Sequence, residues 1–353
     1  MPAPKQQPAA PATLQDVSAE AEVSVATVSR VLSGRGGVAE DKAQRVRAAV
    51  GAVGYTPLRQ SRRPAPAAAS PVALLRFSDD ALARYSNDFS QTVKGVAAAL
   101  AEEGIGLLYA DLSGADALPE EVRGGRVRGV LLAGDDTRGL LRRLPDVPRF
   151  WITSHREGGA GGGDGASALA GNEHVGQLAA DHLLGLGCRR LACLDLLAGS
   201  VAGEVRTKWF AFQAGAAGAE VTRVSSRVPL PAADDPRGWA ELVEGAEAAV
   251  DELLDAGPAP DGLFVTNALL LGPVYRRLRR RGVEPGPSLR VVVSGHHEPV
   301  LAALDPRPAS IDLRGEVIGR CAVQQLLHRV RRPGESLPVD LVVRAALVPA
   351  EPA

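Results

Sequence analysis

The chain is poor in the residues that sulfur chemistry, aromatic surfaces and membranes require. Its 353 residues include three cysteines, one methionine and 4% aromatics. Cys188, Cys193 and Cys321 form no CxxC and no zinc-ligand spacing. That excludes a disulfide framework and a zinc ribbon, and reduced thiols of a cytoplasmic protein are expected. No apolar run approaches the roughly 18 residues of a spanning helix, so no membrane partner is expected. Residues 1–12 are Pro, Ala and Gln with Met1 and Lys5. They lack the apolar centre of a secretory signal and read as a disordered tail. The GxGxxA match inside GGAGGGDGA, 158–166, sits at no strand-to-helix turn, and no GK[ST] follows, so it reads as a loop. Three consecutive residues, His296-His297-Glu298, cannot easily turn to one metal ion. No paired carboxylates or Ser-His-Asp arrangement stands out. The expectation is therefore no enzyme, no cofactor and no metal.

Charge is present but unevenly spread. Residues 13–63 hold eight Lys/Arg against five Asp/Glu, while the whole chain is at −1. With Lys5 counted, residues 64–353 carry −5. A basic front on an acidic body suits a polyanionic partner at the front alone.

The front reads as three short helices. Thr13 with Asp16 is an N-terminal capping signature, and Leu14, Val17 and Ala21 share a face. Ser24 is a second cap, followed by an apolar face of Val28, Val31 and Leu32, with Gly34 as the stop. A third helix fits 39–53, with Ala43, Val46, Val50 and Val53 at 3-4-3 spacing. The second helix then turns Val25, Ala26, Thr27, Ser29 and Arg30 elsewhere. Small and hydroxyl residues with one arginine suit a helix in a major groove, where Arg can grip guanine O6 and N7 together. A three-helix bundle with a solvated face is the plainer alternative.

VSVATVSRVLSG followed by VAEDKAQRVRAAVGAVGYTP closely resembles the headpiece of the LacI/GalR family of bacterial transcription regulators. The resemblance implies base-reading positions at Val25, Ala26 and Arg30. It implies phosphate-backbone positions at Thr13, Ser24, Thr27, Ser29, Ser33 and Tyr55. Glu22 departs from the pattern, standing in the turn where the family usually has glycine. After Tyr-x-Pro the family forms a hinge helix that wedges the minor groove open. Here the run is Leu58-Arg59-Gln60-Ser61-Arg62-Arg63-Pro64, with Pro64 at the wedge position. Proline disfavours a helical residue before it. The expectation is a short or absent hinge helix, with Arg59, Arg62 and Arg63 as a basic arm in or along the minor groove; a linker adding only non-specific affinity is the alternative.

From residue 72 the text alternates strand and helix. PVALLRF, IGLLYAD, VRGVLLAG and PRFWITS read as strands, and after residue 188 RRLACLDLL, DGLFVTN and LRVVVSG repeat the plan. Two such sets predict two Rossmann-like lobes with ligands at the strand ends. The expected fold class is α plus α/β: a helix-turn-helix headpiece, then a periplasmic-binding-protein-like body. The expected divisions are 13–58 for the headpiece, 59–71 for the hinge and 72–350 for the body. Lobe 1 is expected near 72–170 and 299–331, lobe 2 near 171–298 and 332–350.

In the body, GNEHVGQLAADHLLGLGCRRLACL and ASIDLRGEVIGRCAVQQLL resemble the family's entry into the second lobe and its late return. The family's Asn-Asp after a strand is Asn267-Ala268 here, and its Gly-aromatic-Asp-Asp is Gly295-His296-His297-Glu298. Its Asp-Asn is Gly171-Asn172. The cleft arginine is Arg206, with Trp209 in place of a glycine. Phe89 keeps an aromatic position, with Asp88 where proline is usual. The resemblance thus implies an effector site of Phe89, Arg206, Trp209, Asn267 and His297. The ligand is expected to be sugar-related or an anionic metabolite; loss of effector binding is the alternative. The expected partners are double-stranded DNA with a pseudo-palindromic operator, a small-molecule effector and a second copy of the chain, as a homodimer or higher oligomer. The rival class is a cytosolic small-molecule sensor whose DNA binding is weak or vestigial.

Overall fold

A computed structural model describes residues 13–32, 39–53, 70–77, 87–153 apart from 135 and 137, 166–333 apart from 230, 232–234, 236 and 287, and 338–350. The chain divides into two compact units, Met1–Ala69 and Ser70–Ala353.

The first unit contains helices α1 (Leu14–Glu20), α2 (Val25–Leu32) and α3 (Glu40–Val53). Thr13 and Asp16 form a reciprocal capping box: the Thr13 amide donates to Asp16 Oδ2 at 2.7 Å, and the Asp16 amide donates to Thr13 Oγ1 at 3.4 Å. The Thr13 amide and hydroxyl, both donating to Asp16 Oδ2, hold the exposed Asp16 carboxyl below its ordinary pKa. Ser24 precedes α2 and accepts from the Thr27 amide at 3.2 Å. Val17, Ala21, Val28, Val46 and Ala49 form the buried core, with Leu14, Val23, Val31, Val50 and Val53 around it. The apolar spacing foresaw this core except Ala49 and Val23. Gly34, the foreseen stop of α2, lies outside the described residues.

The second unit holds twelve described strands in two six-stranded sheets. The first lobe contains β1 (Val72–Arg76), α4 (Asn87–Glu102), β2 (Leu107–Asp111), α5 (Glu120–Arg123), β3 (Gly129–Ala133), β4 (Arg149–Thr153) and β5 (Ser167–Ala170). The second contains α6 (Asn172–Gly185), β6 (Arg190–Asp195), α7 (Val201–Ala216), β7 (Glu220–Ser225), α8 (Gly238–Asp255), β8 (Gly262–Val265), α9 (Leu271–Arg280), β9 (Arg290–Ser294), α10 (Glu298–Leu301) and β10 (Ala309–Asp312). Then come α11 (Gly315–Arg331), β11 (Asp340–Val343) and β12 (Ala346–Val348). The sheet orders are β11-β5-β4-β3-β1-β2 and β12-β10-β9-β8-β6-β7. Every described strand pair is parallel except β10 with β12. On β1, Val72 stands opposite Leu107 of β2 and Gly129 of β3. Strands covered by helices on both faces read as unbroken apolar runs, and VALLR, GVLLA and GLFV are buried throughout.

The lobe limits read from the sequence need correction. Strand β10 lies in the second sheet, so residues 299–312 belong to lobe 2. Strand β11 pairs with β5, returning 340–343 to lobe 1, and β12 then joins β10. The chain therefore crosses between lobes on both sides of α11, which packs on α4 of lobe 1. These late strands have three or four residues and partial burial, too little for a periodic signal.

The basic run RRLRRRG, residues 276–282, ties two helices of the second lobe together. Arg276 pairs with Glu247, and Arg277 and Arg281 share Asp251, clamping α9 to α8.

Candidate nucleic-acid interface and effector cleft

On α2 the division of faces is clear. Val28 is fully buried, while Val25 is 41% exposed. Ala26 and Arg30 are also exposed, and Thr27 is half-buried with its hydroxyl 2.9 Å from that of Ser24. Val25, Ala26 and Arg30 thus share the outer face, with the Ser24 cap at its N-terminal end, where free amides favour anions. Thr13 is committed to its own helix through the capping box. Of Ser29, only the helical backbone is described. Ser33, Tyr55, Arg59, Arg62, Arg63 and the hinge proline Pro64 lie outside the described residues.

The turn between α1 and α2 carries the anomaly foreseen from its sequence. Glu22 has φ 50°. A side chain there costs on the order of 1 kcal/mol relative to glycine. The turn survives because Ser18 Oγ donates to the Val23 carbonyl at 2.6 Å, tying both ends together. Glu22→Gly is expected to stabilise the headpiece by about 0.5–1 kcal/mol, less the entropy glycine gains when unfolded. Chemical denaturation of the full chain, followed on the headpiece transition, measures it.

In the body, the carboxyl ends of β1, β6, β8 and β9 and the start of α4 bring the effector candidates together unequally. Arg206, on α7, is 9% exposed. Its Nε donates to Asn172 Oδ1 at 2.8 Å and its NH1 to the Thr266 carbonyl at 3.2 Å. Burial lowers its pKa, and the nearby charges of Asp88 and Asp195 oppose that. Gly176 makes the approach possible, because a Cβ there would collide with the Arg206 carbonyl oxygen on α7. Asp195, ending β6, accepts from Thr266 Oγ1 at 3.1 Å. Burial raises the Asp195 pKa, against hydrogen bonds from Thr266 and the Leu197 amide.

Asn267 follows β8 and spends its Oδ1 on the Leu269 amide at 2.9 Å. His297 follows β9; its Nδ1 is buried without a partner, and burial lowers its pKa. The Ser294 hydroxyl, three residues earlier, is likewise buried and unpaired. Phe89 lies under the Arg76 guanidinium, 5.6 Å from ring centroid to Cζ. Trp209 stands apart from this group. Its Cβ packs against Gly176 at the α6–α7 seam, and its ring meets exposed Phe212 edge-on at 5.5 Å.

Sequence reading missed Asp195, Thr266 and Arg76. An acid closing an apolar strand was the available signal for Asp195. Arg76 is 3% exposed, donates to Asp111 at 2.9 Å and keeps a buried, unpaired Nε. Nothing in its run distinguishes it from an edge-of-strand arginine.

Comparisons with known proteins agree with this layout. Residues 13–58 match the bacterial regulatory proteins of the lacI family, and residues 180–349 match the periplasmic binding protein-like domain. The HTH-type transcriptional regulator GntR of Pseudomonas aeruginosa is 30% identical over 325 residues, covering 89% of this chain and 88% of that one. The regulator CelR of Thermobifida fusca is 28% identical over 349 residues, covering 96% and 97%. A solved structure of a CelR–cellobiose complex aligns with TM-score 0.63 and 25% identity over 96% of this chain and 99% of that one. A three-helix headpiece with an outward-facing second helix, two parallel-sheet lobes and relatives matched along nearly their full length lead to one conclusion: the chain belongs to the LacI family of bacterial regulatory proteins and is a DNA-binding transcriptional regulator.

Proposed function

We propose that this regulator is a repressor, working in the cytoplasm as a homodimer or higher oligomer on a pseudo-palindromic operator. Val25, Ala26 and Arg30 read base edges, and Ser24 and Thr27 seat the helix on the phosphates. The single observation that supports this reading is the outer face of α2, where Val25 is exposed while Val28 fills the core. Two copies give two half-sites, and an effector that prefers one lobe arrangement alters operator affinity by its differential affinity for the two states.

The effector fits a neutral, hydroxylated molecule of the sugar class better than an anion. Arg206 is already hydrogen-bonded to Asn172 and Thr266 and lies in the fields of Asp88 and Asp195. Its charge is matched within the protein, leaving little to attract a second anion. The relative CelR was solved with cellobiose. Calorimetry of the full chain with neutral sugars, sugar phosphates and small carboxylates tests the reading. Heat is expected from a neutral sugar. Binding by anions alone would reverse the ligand class, and silence from all three classes would remove effector control.

The Glu22 backbone, at φ 50°, gives some support to the rival reading of a sensor with weakened DNA binding. That rival requires affinity that is blind to sequence and collapses steeply with salt.

A further inference from the structure

Asp88 belongs to the first turn of α4 in lobe 1, yet its carboxylate faces lobe 2. A Cβ built on Gly295, just after β9, would lie 3.5 Å from Asp88 Oδ2 and 3.7 Å from Ala268 Cβ. Neither Gly295 nor Ala268 offers a polar side chain. The Asp88 main-chain oxygen accepts from Thr92 Oγ1 at 2.8 Å, which fixes the turn that carries it. Its carboxylate accepts no hydrogen bond among the described residues; Arg206, Asp312 and His296 act on it only through their charge. Arg206 is the opposite case, with hydrogen bonds to Asn172 and Thr266.

We infer that Asp88 is a ligand-accepting, specificity-determining residue of the cleft, selecting a neutral ligand that donates hydroxyl hydrogen bonds over an anionic one. The inference rests on the effector reading above. A carboxylate has two oxygens and can accept from two neighbouring hydroxyls at once. Set where the two lobes meet, it also lets a ligand bridge them. The same negative charge repels a phosphate or carboxylate.

The experiment compares the wild-type chain with Asp88→Asn by calorimetry, using glucose, cellobiose, gluconic acid and glucose 6-phosphate. Wild type is expected to bind a neutral sugar, and Asp88→Asn to weaken that binding at least about tenfold, the effect of a lost charge-assisted bond. Tolerance of the anionic probes should rise in the same variant. Equal neutral-sugar affinity in both proteins overturns the inference and leaves the effector reading intact. Silence of the wild type with all four probes overturns both. Thermal unfolding supplies a check without ligand. Burial raises the Asp88 pKa, so its ionised form disfavours the fold at neutral pH. Asp88→Asn should therefore keep or raise the unfolding midpoint, whereas a lowered midpoint together with unchanged sugar affinity would show that the carboxylate serves the fold alone and would overturn the inference.

Discussion

Arg206→Ala is expected to destabilise the body by about 3–5 kcal/mol, the usual consequence of removing one partner from a buried charge cluster. The Asn172 and Thr266 oxygens that accept from the guanidinium lose their donor. Asp88 and Asp195 lose the positive charge between them. The sign with pH follows from those acids. Burial is the first cause raising both above the ordinary carboxylate value of 3.8. An acid raised in the fold loses stability as pH climbs from its unfolded to its folded pKa. Without Arg206 the folded values rise further, so the deficit should be largest near neutrality and shrink as the acids protonate. Urea denaturation at several pH values measures it. A loss below about 1 kcal/mol at pH 7 would mean the cluster relaxes into water.

Arg30→Ala carries the other large effect. A bidentate arginine–guanine contact discriminates by about 1–3 kcal/mol, and a dimer makes it twice. Operator affinity is then expected to fall by roughly 30-fold to above 10⁴-fold, with guanine preference lost at one position in each half-site. Affinity for unrelated duplex should hardly change, because phosphates supply it. Titration of both duplexes at fixed salt separates the two terms. An equal fall on both would make Arg30 a phosphate contact.

The same two arginines show what the sequence could convey. Arg30 was legible because its helix is amphipathic: once Val28 and Val31 take the core, the outer positions follow from a period of 3.6. The long parallel strands were legible because burial on both faces forces unbroken apolar runs such as Val72–Leu75. Edge strand β7, EVTRVS, was not, since most of its positions face water. Neither were β5, β11 and β12, whose three or four residues depend on distant partners for their definition. The lobe crossings escaped for the same reason. Arg206 and Asn172 could be marked as cleft residues by resemblance, but the contacts around Arg206 could not be assigned. Asn172, Asp195 and Thr266 come from three elements and meet only through the packing of α6 against α7 and β6 against β8. Asp88 looked like a lost proline, and its position between lobes depends on the bareness of Gly295 and Ala268.

Selection of bound sites from a random duplex library by the full-length protein, at near-physiological salt, tests whether the outer face of α2 reads sequence. A two-fold symmetric site with a fixed guanine in each half is expected, relaxed by Arg30→Ala. Enrichment of no sequence, with binding that follows salt alone, would contradict it.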